Sequence, residues 1–521
     1  MSTILLTIGV FFIITSAFKQ KKPAFFTCIA LLIAGFAAAY FSPLSYTEII
    51  YCNDADKTIV PLIVSVLFIV VSTAKLKLHA FLALLLAAIF FGICVDMSLV
   101  SLDKSEITII SSMEEGFGGT LGKIGIVIIA GTIIGTFLEK SGGVYAMAES
   151  VLKIIGKRKV TPAMAAIGYI VSIPVFADSG FVILTPLNKT LTKRAGLSLA
   201  TTSIALALGL MITHCLVPPT PGPIIAANEL GADLGMVIML ALPISAIVLL
   251  FAWFWASKVA SRVHIDPNPE LTDEGFRSHL KTAPKAFHSF LPILIPIILI
   301  VLKSVADYPI LANPDADASV AWKQTWIYQS ITFIGHPIVA LLLGIGIALT
   351  LPKKFDLAML SGSGWVGEGM LAAATIIMIT GAGGAFGKVL FNSGIADQIS
   401  SGMESMSSSL KVWGLWLPFI AAAAIRAAQG SSTVAIMLTA PLLYPLLGTM
   451  GLDSSLGRAL CVLAIGAGAM FCSHANDSFF WVVTQMTGMD VKTGYKLHTT
   501  GTILMGIFAC TIIWIVGLIW L

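Results

Sequence analysis

Apolar runs of ~17–25 residues recur along the whole chain, each long enough to cross a bilayer as a helix. Hydrocarbon offers no partner to a peptide N–H or C=O, so a segment lying in it must satisfy its own backbone. Runs of this length do so as α-helices. With 57% hydrophobic and 11% charged residues, and a mean hydropathy of +0.94, little of the sequence is left for a soluble domain. The expected fold is an all-α polytopic membrane protein. About 12 spans are predicted, near 4–18, 24–41, 59–74, 79–95, 122–138, 198–227, 236–256, 287–302, 330–351, 369–390, 456–487 and 499–520.

Basic residues set the expected orientation, because cytoplasmic loops are enriched in Lys and Arg. Threading the spans collects Lys19, Lys21, Lys22, Lys75, Lys77, Lys153, Lys157–Lys159, Lys189, Lys193, Arg194, Lys258, Arg262, Lys353, Lys354, Lys492 and Lys496 on one side. The opposite loops hold mostly acids, among them Asp54, Asp56, Asp96, Asp103, Asp307, Asp315 and Asp317. This predicts both termini outside, in a cell inner membrane. The first apolar run precedes its lysines, the reverse of a secretory signal, and reads as a retained span. Residues 1–45 form an N-terminal two-helix segment, and a polar stretch at 263–285 reads as a cytoplasmic linker between halves 58–262 and 286–521.

Four stretches resist reading as simple helices. Segment 161–191 has basic flanks at both ends and arms shorter than a crossing needs, which predicts a re-entrant hairpin with its tip at Pro174–Phe181. A second hairpin is predicted at 410–447, its tip at Arg426–Thr433. Inside span 198–227 lies THCLVPPTPGP (Thr213–Pro223), where four prolines remove four donors and break the helix. Span 456–487 is interrupted at Ser473–Phe479. Irregular backbone at membrane depth is tolerated only when buried in protein or lining a watery cavity.

These features recur. HAFLALLL (His79–Leu86) matches HPIVALLL (His336–Leu343) at an offset of 257, which also aligns Gly231 and Asp233 with Gly488 and Asp490. Ser141-Gly142 matches Ser393-Gly394, and Thr213-His214 matches Ser473-His474, at slightly different offsets. Because one half begins outside and the other inside, the halves read as inverted repeats with broken helices, an organisation of secondary transporters whose sites lie at the repeat interface.

The two hairpin tips and two breaks are then expected to converge on a solute. Half-helix N-termini present unpaired amides and a positive dipole end, which suits an anion. Hydroxyls and amides for it come from Ser179, Thr213, Thr220, Gln429, Ser431, Ser432, Thr433, Ser473 and Asn476, and close backbone approach from Gly180, Gly222 and Gly430. Arg426 offers a planar fork for a carboxylate, with a structural tie to Asp477 or Asp178 as the plain alternative. Asp178, Asp477, His214 (also a substrate-binding candidate) and His474 are the proton-coupling candidates. Glu115 and Glu368 occupy matching places near span ends and read as interfacial. Trp253, Trp255, Trp481, Trp514 and Trp520 read as belt anchors.

Other chemistries find no motif. The seven cysteines form no CxxC, and the sequence has no HExxH, Gly-x-Ser-x-Gly or Walker A pattern. No basic cluster has interleaved aromatics, so nucleic acid is not an expected partner. Neither enzymatic activity, a metal nor a cofactor is expected.

Three stretches resemble the gluconate permease (GntP-type) family of proton-coupled sugar-acid transporters: SIPVFADSGFVILTPL (Ser172–Leu187), Thr213–Pro223, and RAAQGSSTVA (Arg426–Ala435) with SHANDSFFW (Ser473–Trp481). EGFGGTLG (Glu115–Gly122) is similar too. The resemblance implies a fold like that of the ion transporter superfamily, with a scaffold domain that dimerises and a transport domain that moves as an elevator. It implies import of a small hydroxylated carboxylate, a gluconate-like sugar acid, by proton symport. Sodium coupling and a D-serine-like substrate are the alternatives within that class; an ion channel or non-transporting sensor is the alternative outside it. Thr220 stands where many relatives carry histidine, and Asp178-Ser179 where many carry Glu or Asp-Val.

Overall fold

A computed structural model describes residues 56–74, 78–95, 97–98, 107–156, 159–267, 283–312, 317–394, 414–474 and 477–521. The predicted N-terminal segment 1–45, most of the 263–285 linker and Asn476 lie outside the described residues. All regular secondary structure among the described residues is helical, without strands. The helices, in chain order, are α1 Asp56–Ala74, α2 Ala80–Cys94, α3 Ile109–Lys140, α4 Gly143–Ile155, α5 Val160–Val171, α6 Ala177–Ala195 and α7 Leu199–Leu216. Next come α8 Pro221–Glu229, α9 Leu234–Lys258, α10 Ala286–Ala312, α11 Asp317–Gln324, α12 Trp326–Ile334, α13 Pro337–Ala348 and α14 Trp365–Asn392. The last are α15 Trp416–Gln429, α16 Ser432–Leu443, α17 Ser455–Met470, α18 Ser478–Thr487, α19 Val491–Gly494 and α20 Thr500–Trp520, the last preceded by a π-helical turn at Tyr495–Thr499.

Six segments among the described residues are long and apolar enough to cross a membrane, or seven if the pair α12 and α13, bent by 62°, counts as one. Other apolar helices, including α2, α5, α15 and α17, are shorter. The structure thus divides the predicted spans unevenly. The single span expected at 330–351 is bent at Gly335-His336, and α3 extends 32 residues where about half that length was expected.

The described residues form two compact units. The first holds those up to Thr120 together with 378–394 and 441–450. There α1 packs on α2, Lys388 pairs with Glu115 at 2.7 Å, and Asn392 Nδ2 donates to Ser112 Oγ at 2.9 Å. The second holds 121–377, 414–440 and 451–521 and contains every site residue discussed below. In it Lys140 pairs with Glu368 at 2.7 Å. The two matching glutamates are therefore each held by a lysine near a helix end.

The second unit is built around α7. Every residue of this helix is buried, as expected of a helix apolar on all faces. It crosses α5 where Gly209 faces Ala165; a Cβ on Gly209 would stand 2.2 Å from the Ala165 carbonyl, so only glycine allows this backbone contact. Hydrogen bonds between helices add direction to the packing: Asn188 Nδ2 to Ser203 Oγ at 2.9 Å, Thr192 with Thr202 at 2.6 Å, and Tyr169 with Ser245 at 2.8 Å. In hydrocarbon such bonds contribute about 0.6–2 kcal/mol each. Helix starts are capped by Ser198, Asp233, Ser454 and Asp477, whose side chains accept from amides of the first turn.

The outer faces carry the opposite pattern. On α10, Leu294, Ile298, Leu302 and Val305 form an exposed stripe at helical spacing, and on α9 Ile247, Leu250, Trp253 and Phe254 do the same. Stripes of this kind are stable where the surroundings are themselves hydrocarbon. Of the expected belt tryptophans, Trp253, Trp481 and Trp520 are exposed, whereas Trp255 donates its Nε1–H to the Leu497 carbonyl at 2.9 Å.

Candidate functional site

Three helix N-termini meet at one cavity. The first is that of α6, which opens after the turn at 172–176 with Asp178 and Ser179 in its first turn. The second is α16, which follows the Gly430 corner. Gly430 has φ +91°, a left-handed conformation that a side chain would strain, and its N–H closes α15 onto the Arg426 carbonyl. The third is α18, capped by Asp477, whose Oδ1 accepts from the Phe479 amide at 3.0 Å. The cavity measures about 290 Å³. Its lining includes Ser179, Met211, His214, Arg426, Asp477 and Ser478, with further contacts from Phe176, Ala177, Asp178, Ser431, Ser432, Thr433 and Phe479.

Arg426 is among the largest wholly buried side chains. Its Nη2 contacts Asp477 Oδ2 at 2.5 Å, its Nη1 donates to the Gly430 carbonyl, and its Nε finds no protein acceptor. The pair is not isolated: Ser473 Oγ also donates to Asp477 Oδ2. In this arrangement the charge of Arg426 is spent on Asp477, the structural tie named above as the alternative to carboxylate binding. Asp178 accepts from Ser478 Oγ at 3.2 Å, and no cationic side chain pairs with it among the described residues. His214 Nε2 lies 3.3 Å from Thr433 Oγ1, and its Nδ1 is buried without a partner.

One guanidinium faces two carboxylates here, so with both ionised the side chains carry one net negative charge. The three helix ends oppose it with roughly +0.5 each. Chemically, the cavity can accept hydroxyls and one anionic group once a carboxylate is neutralised, or a cation when neither is.

The predicted residues separate into groups. Ser179, His214, Arg426, Ser431, Ser432, Thr433, Asp178 and Asp477 line this cavity. Thr213 and Ser473 are buried behind it; Thr213 Oγ1 bonds its own helix at Leu210. Gly180 and Gly222 face side chains instead of the cavity, with Leu210 and Ile436 as neighbours. Gln429 ends α15 and Gly430 forms the corner. His474 Nε2 pairs with the Ala427 carbonyl at 2.9 Å and its ring lies against Tyr495. Thr220, with Pro219 and Pro221, borders a different cavity of about 100 Å³, shared with Glu139, Thr132, Thr136 and Ser179. Its hydroxyl donates to the Val217 carbonyl at 2.7 Å. The peptide between Pro218 and Pro219 is cis.

Sequence reasoning missed Ser478, Met211 and the aromatic wall of Phe176 and Phe479. Ser478 was in reach, since it follows Asp477 inside the predicted break. Met211 carries no signal, being one apolar residue in an apolar helix.

A polar cavity among interrupted helices, inside a bundle whose outer faces are apolar, is the construction of a multi-pass membrane transporter. The chain belongs to the GntP permease family: the pattern of a GntP family permease matches residues 57–519. It is 32% identical over 465 residues to the gluconate permease of Pseudomonas aeruginosa, covering 88% of this chain and 97% of that one. It is 31% identical over 451 residues to the D-serine transporter DsdX of Escherichia coli K12, covering 86% and 95%. Its fold is similar to that of the Alcanivorax borkumensis YdaH transporter, with a TM-score of 0.55 at 14% identity over 88% of this chain and 99% of that one. The chain is thus a multi-pass membrane protein of a permease family.

Proposed function

We propose that this permease imports a small hydroxylated carboxylate, such as a gluconate-like sugar acid, by proton symport, and that the cavity between α6, α16 and α18 is its binding site. The observation that carries this reading is the charge balance. An anion entering a site with one guanidinium and two carboxylates is repelled unless a carboxylate takes up a proton. Anion and proton then enter together, and the helix N-termini supply the remaining attraction. Ser179, Ser431, Ser432, Thr433 and Ser478 read the hydroxyls, with His214, Asp178 and Asp477 as proton carriers beside them. A volume of about 290 Å³ sits at the small end of ligand pockets, which suits a compact metabolite.

In the same reading, the α5–α6 and α15–α16 pairs are re-entrant hairpins of inverted repeats, and the breaks α7–α8 and α17–α18 are their companions. The site-bearing elements move as an elevator against a dimerising scaffold in the inner membrane, with both termini outside. Thr213, Thr220, Gly180, Gly222, Gln429, Gly430, Ser473 and His474 act by shaping and supporting the site.

A second reading rests on Asp178, a carboxylate with no cationic partner among the described residues. It suits the ammonium group of a D-serine-like amino acid, or a sodium ion. Uptake of labelled gluconate and D-serine into proteoliposomes, under imposed proton or sodium gradients, separates these. Proton-driven gluconate uptake that disappears in Arg426→Ala is the expected result. Uptake that follows sodium and ignores the proton gradient removes the leading reading, and absence of counterflow would return the chain to the channel or sensor class.

A further inference from the structure

His498 lies outside the cavity and in none of the sequence motifs, yet it is fully buried in the π-helical turn Tyr495–Thr499. Single π-helical turns interrupt α-helices frequently at functional sites. The ring packs against Phe479 and Phe480. Its Nε2 is 3.0 Å from Ser473 Oγ, while its Nδ1 is buried with no protein partner.

The hydrogen-bond directions follow from proton counting. Asp477, ion-paired with Arg426, is an acceptor, so the single hydroxyl proton of Ser473 goes to Asp477 Oδ2. Ser473 Oγ must then accept from His498, which places the imidazole proton on Nε2 and leaves Nδ1 as an empty acceptor. Ser473 is held in register by neighbours: its N–H donates to Thr502 Oγ1 at 3.1 Å, and its carbonyl accepts from Thr499 Oγ1 at 2.6 Å. The ionised groups acting on His498 are Asp477 and Arg426. Its own turn contributes Tyr495 and Lys496, and α7, also packed there, carries His214 and Cys215.

We infer that His498 and Ser473 form the proton path that switches Arg426 between Asp477 and the transported anion. A proton bound at His498 Nδ1 allows Nε2–H to pass to Ser473 Oγ as the Ser473 proton passes to Asp477 Oδ2. One proton is gained at Nδ1 and one arrives on the carboxylate; the imidazole ends neutral with its proton on Nδ1. Asp477, now a neutral acid, loosens its hold on the guanidinium, which turns toward the cavity. The inference rests on the proton-symport reading and adds the residue through which the proton reaches the ion pair. His498 is a positioning and relay residue, since it touches neither the cavity nor the solute.

The test compares two rates in proteoliposomes with labelled gluconate as the probe: uptake driven by an inward proton gradient, and counterflow at equal pH. In His498→Gln the ratio of driven uptake to counterflow should fall roughly 10-fold or more, with the pH dependence of driven uptake flattened. A wild-type ratio in His498→Gln overturns the inference while leaving proton symport intact. A wild-type protein that exchanges gluconate but ignores the proton gradient overturns both. If His498→Gln is not monodisperse in detergent, Ser473→Ala is measured by the same ratio and should show the same fall, with Ser473→Thr restoring it. A wild-type ratio in Ser473→Ala refutes the relay.

Discussion

The Arg426–Asp477 pair offers the sharpest energetic test. Both side chains are almost fully buried, at 1% and 4% exposure, and their contact is 2.5 Å. Removing one member of a buried pair typically costs about 3–5 kcal/mol, because the other charge is left in a low dielectric. The two losses should differ here. In Arg426→Gln the carboxylate keeps Ser473 Oγ and the Phe479 amide, so the cost should sit near the bottom of that range. In Asp477→Asn the guanidinium keeps only the Gly430 carbonyl among its present acceptors, and the cost should be higher. The neighbouring cavity admits water, which moderates both. The double variant should lose less than the sum of the singles, by roughly 2 kcal/mol, since no charge is stranded. Unfolding of the purified protein by titration with SDS, for wild type, both singles and the double, measures the cycle. Singles that each cost under ~1 kcal/mol, or effects that simply add, would refute the claim that this pair is desolvated and mutually compensated.

Other outcomes follow from the same geometry. Gly209→Ala puts a methyl group 2.2 Å from the Ala165 carbonyl, where backbone on both sides must shift; a loss of about 1–3 kcal/mol is expected in the same unfolding assay. Lys140→Gln breaks a pair whose members are 41% and 47% exposed, and should change stability by no more than ~1 kcal/mol. Asp178→Asn removes one negative charge from the cavity, so gluconate binding should strengthen at neutral pH and gain less on acidification than in wild type. Calorimetric titration of gluconate at neutral and at acidic pH, for wild type and Asp178→Asn, reads this directly.

Much of the architecture was legible because membrane solvation leaves so few options. Long apolar runs must be helices, and the cluster Pro218, Pro219, Pro221 and Pro223 breaks one where a lone Pro243 inside α9 does not, so the end of α7 and the start of α8 could be placed from Thr213–Pro223 alone. The stop between α5 and α6, the Gly430 corner between α15 and α16 and the interruption before α18 could be read the same way, because hydroxyl-rich breaks are conspicuous in hydrocarbon. Arg426, Asp178 and Asp477 stood out for the same reason: charge is costly there, so its presence is informative.

What the chain by itself determined is local: which segments are helical, where each stops, and which polar atoms are left without helical partners. Only tertiary packing decided which of those atoms face one another. It set Thr220 beside Glu139 in a separate cavity while His214, six residues earlier, joined Thr433. It turned Gly180 and Gly222 toward leucine and isoleucine side chains, and gave Arg426 to Asp477. It also brought His498, from a stretch in which the sequence showed no site motif, onto Ser473. Backbone satisfaction is a property of neighbours in sequence, whereas the pairing of a buried charge depends on which helices cross at its depth, and no local pattern encodes that crossing.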